Sequence, residues 1–329
     1  MLSPQKNLPT EAITPFELIN PGFARTFRAG RLTVGLVAPV EAYPVGAHPT
    51  MAGQSDRIIL AEQLGFAAVW LRDIPFEVPS FGDVGQVYDP FVYLGMLAGR
   101  TDRIALGVAS IILPLRHPAH VAKAAASVDA LSQGRLILGV ASGDRPEEFP
   151  AMNATFSERG ARFRDSFEYI RRMGETAPEF KNTFGSPGGG IDMAPKPAGA
   201  RLPLLVTGGS QQDPDWIAGN ADGWMTYPRN VPVQGRIVSG WRDRVEARGQ
   251  PPKPLMQSLY IDLVEDPDAA PRPIYLGFQS GVRHLRAHLE DLEGIGVNHV
   301  ALNLRFNQLD TDDTLKRLAD EILPRFATE

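Results

Sequence analysis

Eight short apolar runs, each followed by a stretch of helical period, set the tightest limit on what this chain can fold into. The runs are 32–38, 67–71, 104–112, 136–141, 203–207, 223–227, 256–263 and 298–304. Unbroken apolarity over so few residues, without polar alternation, marks strands buried on both faces of a parallel sheet. Segments of helical period follow at 55–64, 90–98, 119–131, 158–173, 213–219, 234–247, 282–292 and 312–322. Gly65, Gly134 and Gly294 stand where helix C-caps belong, just ahead of the next strand. Eight βα repeats predict an α/β fold of the closed (β/α)8 TIM barrel type. The competing open, doubly wound sheet usually has fewer strands and a glycine fingerprint after its first, and no such fingerprint follows Val34.

The 329 residues divide on this reading into an N-terminal leader, 1–31, and one barrel domain, 32–329. Two connections are too long for simple turns: 72–89, and 174–201, a Pro/Gly-rich insertion before strand five. Their places in the chain would let both fold over the barrel mouth. A formal charge of -5 with both signs interspersed offers no basic stripe for nucleic acid and no polybasic membrane patch. The longest apolar stretch, Ile104 to Leu115, is interrupted by Ser110 and Pro114 and is too short to cross a bilayer. The leader lacks the apolar core of a signal peptide, so a soluble, cytoplasmic protein is expected. There is no cysteine, so thiol chemistry is excluded.

Barrel chemistry lies at the carboxyl ends of the strands, so the residues leaving each strand carry the functional argument. Strand three leaves through Ala109-Ser110, strand four through Ala141-Ser142-Gly143-Asp144, strand five through Thr207-Gly208-Gly209-Ser210-Gln211, and strand six through Tyr227-Pro228-Arg229. Small residues at neighbouring exits clear a flat space, and successive glycine amides form a nest for phosphate. A planar, phosphorylated cofactor is one reading, and ordinary turn glycines are the other. No GxxxxGK[ST], HExxH or GxSxG motif occurs. His284 and His288 are four apart but lack a third ligand, so no metal site is predicted. His117 reads equally as a pocket residue or as a helix cap. The charged run Asp144 to Glu148 reads first as a solvated helix start and second as acid-base chemistry.

The segments AEQLGFAAVWLRD, YDPFVYLGMLAGRTDRIALGVASIILPLRHPAHVAKAAASVDALSQGRLILGVASGD, ERGARFRDSFEYIRRM, PLLVTGGSQQDPDWIAGNADGWMTYPR and GVNHVALNL, in that order, resemble the bacterial luciferase-like flavin monooxygenase family. GDRPEEFP and FGDVGQVYDP are similar to its luciferase-type oxidoreductase branch. The resemblance implies FMN or a deazaflavin as cofactor and a cis peptide at Ala109-Ser110. It implies a ring lying across Ala109, Ser110 and Ala141, and a phosphate held by Ser142, Gly143, Gly208, Gly209, Ser210 and Gln211. Many relatives carry Glu-His-His after strand two; this chain has Asp73-Ile74-Pro75 there, which puts a histidine-based mechanism in doubt. Ser142 replaces a phosphate-binding arginine, leaving backbone amides, Arg229 or Arg305 to hold the charge. Gly277, Gln279, Ser280 and Gly281 form a rival phosphate site after strand seven.

The expected activity is an FMN-dependent monooxygenase acting on a small organic substrate with oxygen, its reduced flavin supplied by a separate reductase. Asp73, Arg72, His117, Tyr227 and Arg229 are assigned to the substrate side, Asp73 foremost. A deazaflavin-dependent hydride-transfer enzyme and a flavin-binding protein without turnover are the alternatives. The resemblance also implies a homodimer through the second and third helices, with Tyr93, Leu94, Met96, Leu97 and 124–128 as candidate contacts.

Overall fold

Ten strands form the frame: β1 Thr33–Val37, β2 Ala68–Leu71, β3 Ala105–Ile112, β4 Leu136–Ala141, β5 Leu204–Thr207, β6 Gly223–Thr226, β7 Leu255–Leu263, β8 Arg272–Ile274, β9 Gly277–Ser280 and β10 His299–Asn303. In this computed structural model, which describes residues 14–188 and 190–326, β1 to β7 pair in sequence order and in parallel. β10 closes the circle against both β1 and β7. The fold is therefore the predicted (β/α)8 barrel. All eight apolar runs match their strands to within one residue at each end, the last of them, 298–304, bracketing β10.

Proline and capping residues explain where several helices begin. Asp89-Pro90, His117-Pro118 and Asp213-Pro214 each place a side-chain acceptor at the N-cap and a proline in the first turn, where its missing N–H costs nothing. The helices Pro90–Ala98, Pro118–Leu131 and Arg159–Met173 wrap the sheet and bury Leu94, Leu97, Ala122, Ala125, Phe163 and Ile170 against it.

The barrel interior is filled by Trp70, Ile137, Leu205, Met225 and Met256. Trp70 fits only because Gly107 faces it: a Cβ there would stand 2.2 Å from the indole ring. The short helix Pro21–Thr26 plugs the amino-terminal end, placing Phe23 and Phe27 in this same core. The part of the predicted leader that is described thus belongs to the barrel; its first thirteen residues lie outside the described residues. A hydrogen-bond chain ties plug to barrel. The Trp70 indole donates to His299 Nε2 at 2.9 Å, so His299 carries its proton on Nδ1 and donates it to Thr33 Oγ1 at 2.7 Å. Thr33 in turn donates to the Thr26 carbonyl at 2.5 Å. Burial holds His299 down at about 3, so this chain works with a neutral imidazole.

The two long connections part company. Residues 80–83 of the first reach the barrel mouth. The insertion before β5 does not line either cavity there. Phe180 and Phe184 pack on Tyr169 and His117, Ala198 N donates to Asp129, and Ala200 N to the Ile19 carbonyl. These contacts hold it along the barrel flank and toward the plug. The sequence also gave no sign of the hairpin β8–β9, which extends the sheet beside the second half of β7.

Candidate active site

Two adjoining cavities, of about 370 and 570 Å3, open at the carboxyl ends of the strands. The smaller one gathers Arg72, Asp73, Ala109, Ser110, Ala141, Ser142, Gly143, Gly208, Gly209, Ser210, Gln211 and Tyr227 from five strand exits. The peptide bond between Ala109 and Ser110 is cis. Ser110 Oγ pairs with Thr207 Oγ1 across the gap to β5, fixing the floor between the two exits.

The loop after β5 is held rigid while its amides stay free. Gly208 N donates to the Met225 carbonyl, Ser210 Oγ to the Thr207 carbonyl at 2.7 Å, and Gln212 N to the Gly209 carbonyl at 2.7 Å. The Trp224 indole donates to the Gly208 carbonyl at 2.8 Å. Gly208, Ser210 and Gln211 have φ of +54°, +43° and +58°, the left-handed conformations from which backbone nests are built. Among the described residues, the N–H groups of Gly209, Ser210 and Gln211 donate to no protein acceptor. A Cβ built on Gly209 meets nothing within 4 Å.

The cation beside this nest is one that sequence reasoning missed. Arg159 lines the same cavity; its guanidinium stacks on Phe156 at 3.8 Å and donates from Nη1 to the Phe156 carbonyl, leaving a buried Nε without a partner. Its only signal was its place in ERGARFRD. Neither arginine proposed from the sequence reaches this cavity: Arg229 is exposed, bonding only its neighbour's carbonyl, and Arg305 lines the larger cavity. The rival site after β7 is no nest either. Gly277 sits where a Cβ would stand 1.8 Å from the Tyr260 carbonyl, and Gln279 is spent on Asp262 at 2.6 Å.

On the other side of the mouth the groups are side chains. Asp73 is buried with its carboxylate fully committed. It accepts from Ile112 N at 3.0 Å, from Arg116 Nε at 2.9 Å and from Arg116 Nη2 at 2.6 Å. It therefore fixes the exits of β2 and β3 relative to one another, with Arg116 bridging on to Asp89. His117 is a helix cap, with Nδ1 accepting from Ala119 N and the ring packed on Tyr169 and Phe184, and it lines neither cavity.

Asp83, from the first long connection, collects Arg72, Arg305 Nη1 at 3.3 Å, the Tyr43 hydroxyl at 3.0 Å and Gly85 N at 3.0 Å. Burial alone would raise its pKa, but the Arg72 charge and hydrogen bond hold it below the usual carboxylate range. Arg145 and Glu148 correct the reading of 144–148 as a solvated helix start. Asp144 and Glu147 are exposed, whereas Arg145 and Glu148 are buried and line the smaller cavity, Arg145 the larger as well. Burial pushes Glu148 up to about 7, with Arg145 opposing and Asp73, Asp144 and Glu147 adding to the shift. Its Oε1 has no hydrogen-bond partner.

A barrel whose mouth combines this nest with the cis bond of β3 invites comparison with known proteins. The profile of the luciferase-like monooxygenases matches residues 32–328. The chain belongs to the luciferase-like monooxygenase family. It is 27% identical over 225 residues to the F420-dependent glucose-6-phosphate dehydrogenase of Kineococcus radiotolerans, covering 66% of this chain and 65% of that protein. The monooxygenase RslO1 of Streptomyces bottropensis superposes with a TM-score of 0.74 at 22% identity, over 90% of this chain and 100% of that one. The oxygenating constituent of 3,6-diketocamphane monooxygenase from Pseudomonas putida, solved with FMN, gives 0.71 at 13% identity, over 91% and 100%. At these identities the two structures speak for the fold. Among the described residues no helix is long and apolar enough to cross a membrane, and no group of three or more His, Asp or Glu side chains is placed to hold a metal ion.

Proposed function

We propose that this member of the family is an FMN-dependent monooxygenase of small organic molecules. The observation that carries the cofactor is the rigid loop after β5. Three uncommitted amides and the unpartnered Nε of Arg159 form a built site for one phosphate group. Ala109, Ser110, Ala141 and Ser142 would leave a flat floor for the isoalloxazine ring. When bound, FMN supplies the electron transfer and the reaction with oxygen. The chain orients it and excludes water, chiefly through the 74–89 connection clamped over the mouth by Asp83. Asp73 serves this arrangement by positioning Arg116 and the β3 exit, while Tyr227 stands at the seam of both cavities.

A deazaflavin reading is favoured by the identity with the F420-dependent Kineococcus enzyme. The two separate in one experiment: titration with FMN and with F420, followed by fluorescence, and then oxygen uptake with the chemically reduced cofactor. Binding of FMN with substrate-dependent oxygen uptake supports the monooxygenase. Binding of F420 alone transfers the site to hydride chemistry. The reduced flavin would come from a separate reductase, and the protein would be a homodimer. Tyr93, Leu94 and Leu97 are buried against the barrel, which leaves Val92 and Met96 as the outward apolar face of helix Pro90–Ala98 for such a contact.

A further inference from the structure

Arg145 is a buried cation with almost nothing to bind. Its side chain is 7% exposed, its guanidinium stacks on Phe81 at 4.7 Å, and Nη1 donates to the Asp83 carbonyl at 3.2 Å. No other hydrogen bond leaves the guanidinium for a protein acceptor among the described residues. The nearest carboxylate, Glu148, stands 4.0 Å away and makes no hydrogen bond with it. Buried guanidinium groups are ordinarily paired, because desolvating an uncompensated charge is costly. Two further guanidinium groups face the same larger cavity, Arg72 and Arg305, and they share the single carboxylate of Asp83. Arg305 also keeps a buried Nε without a partner. Val37, Met225, Met256, Tyr260 and Phe306 give that cavity apolar and aromatic walls, with Asp144 and the uncharged Thr226, Gln257, Ser258 and Asn303 also on its lining.

We infer that the larger cavity takes a substrate made of a small apolar or aromatic body bearing one anionic group, a carboxylate by preference, which Arg145 binds. The three guanidinium groups outnumber the buried carboxylate between them, and Arg145 alone of the three has no carboxylate oxygen nearer than 4.0 Å. Its planar fork matches a carboxylate with two parallel hydrogen bonds. This inference deepens the oxidoreductase reading by naming its substrate class. The cofactor phosphate is assigned elsewhere, to the β5 loop and Arg159, so Arg145 is left for the reactant.

Benzoate and its neutral isostere benzamide test this by calorimetric titration of the full chain, free and saturated with FMN. The expected result is that benzoate binds at least about tenfold more tightly than benzamide, and does so equally well with FMN present. In Arg145→Gln the preference disappears, whereas Arg145→Lys, which keeps the charge and loses the fork, retains part of it. Melting curves establish that each variant is folded. Equal binding of the two probes by the wild-type protein, absence of binding of either at millimolar concentration, a preference that survives in Arg145→Gln, or displacement of benzoate by FMN would each overturn the assignment. Should FMN itself fail to bind, the cofactor reading falls separately, and the comparison of probes on the free chain still decides the role of Arg145.

Discussion

Where the β5 exit presents backbone amides from one continuous loop, the opposite side of the mouth presents side chains gathered from distant parts of the chain. Gly209, Ser210 and Gln211 are neighbours whose free N–H groups point to an anion without any residue needing a charge. Arg72, Arg145 and Arg305 leave β2, β4 and β10, and Asp83 reaches them from a loop. A backbone site depends on conformation, and a change of side chain within the loop damages it by adding bulk or charge, leaving Arg159 beside it as the one supporting cation. A side-chain site depends on each member, and losing one leaves the others buried and unpaired. The first suits an invariant cofactor group, and the second suits a substrate that differs from one relative to the next.

The largest effect should come from the side-chain half. Asp83→Asn leaves Arg72 and Arg305 buried without their counter-charge, a loss of about 3 kcal/mol in chemical denaturation. A loss well under 1 kcal/mol would show that this half is held together by packing and not by its one carboxylate. Next comes a contrast of two arginines. Arg159→Gln should weaken FMN by about tenfold while leaving benzoate unaffected, and Arg145→Gln should do the reverse. If both variants lower both affinities, the two halves act as one site and the comparison collapses. Equilibrium dialysis of the two ligands against both variants decides it.

The smallest effect is in pH. Glu148, at about 7 in the folded chain against an ordinary 4.5, takes up a proton on folding between those values. Its contribution to stability is therefore fully present below pH 4.5 and is lost as pH rises through about 7. Glu148→Gln, which stays neutral, should stabilise the protein at pH 8 by on the order of 1 kcal/mol and gain progressively less toward pH 5. Arg145, Asp73, Asp144 and Glu147 are the charged groups acting on it. Once ionised, Glu148 competes with an anion for Arg145, so benzoate affinity should fall from pH 6 to pH 8 in the wild type and stay level in Glu148→Gln. Titrations across that range check both signs, and a level wild-type profile would detach Glu148 from the substrate side.

The same contrast explains what could be read in advance. Strands buried on both faces announce themselves as apolar runs, and the glycines of Thr207-Gly208-Gly209-Ser210 announce a turn that frees its amides. The barrel and the nest were therefore legible. The arginine cluster was not, because its members are far apart in sequence and each alone looks like a surface charge. Arg145 and Glu148 were misread for that reason: only the fold shows that these two, three residues apart, turn inward while Asp144 and Glu147 stay exposed. Asp73 lines the smaller cavity, but its partners Ile112 and Arg116 come from the next exit, and only they show that its carboxylate is occupied. His117 was readable both ways, and its ring against Phe184 of the insertion resolves it as a cap.

The central claim is that the loop after β5 holds the cofactor phosphate, and FMN titration of the wild-type protein beside Gly209→Asp tests it most directly. Gly209 has an ordinary φ and open space around its Cβ, so the variant should fold and melt like the parent. Its carboxylate would stand among the amides that the phosphate needs. The account predicts fluorescence quenching of FMN by the wild-type protein at micromolar concentration and a loss of at least about 100-fold in affinity in the variant. Equal affinity of the two proteins for FMN would contradict it.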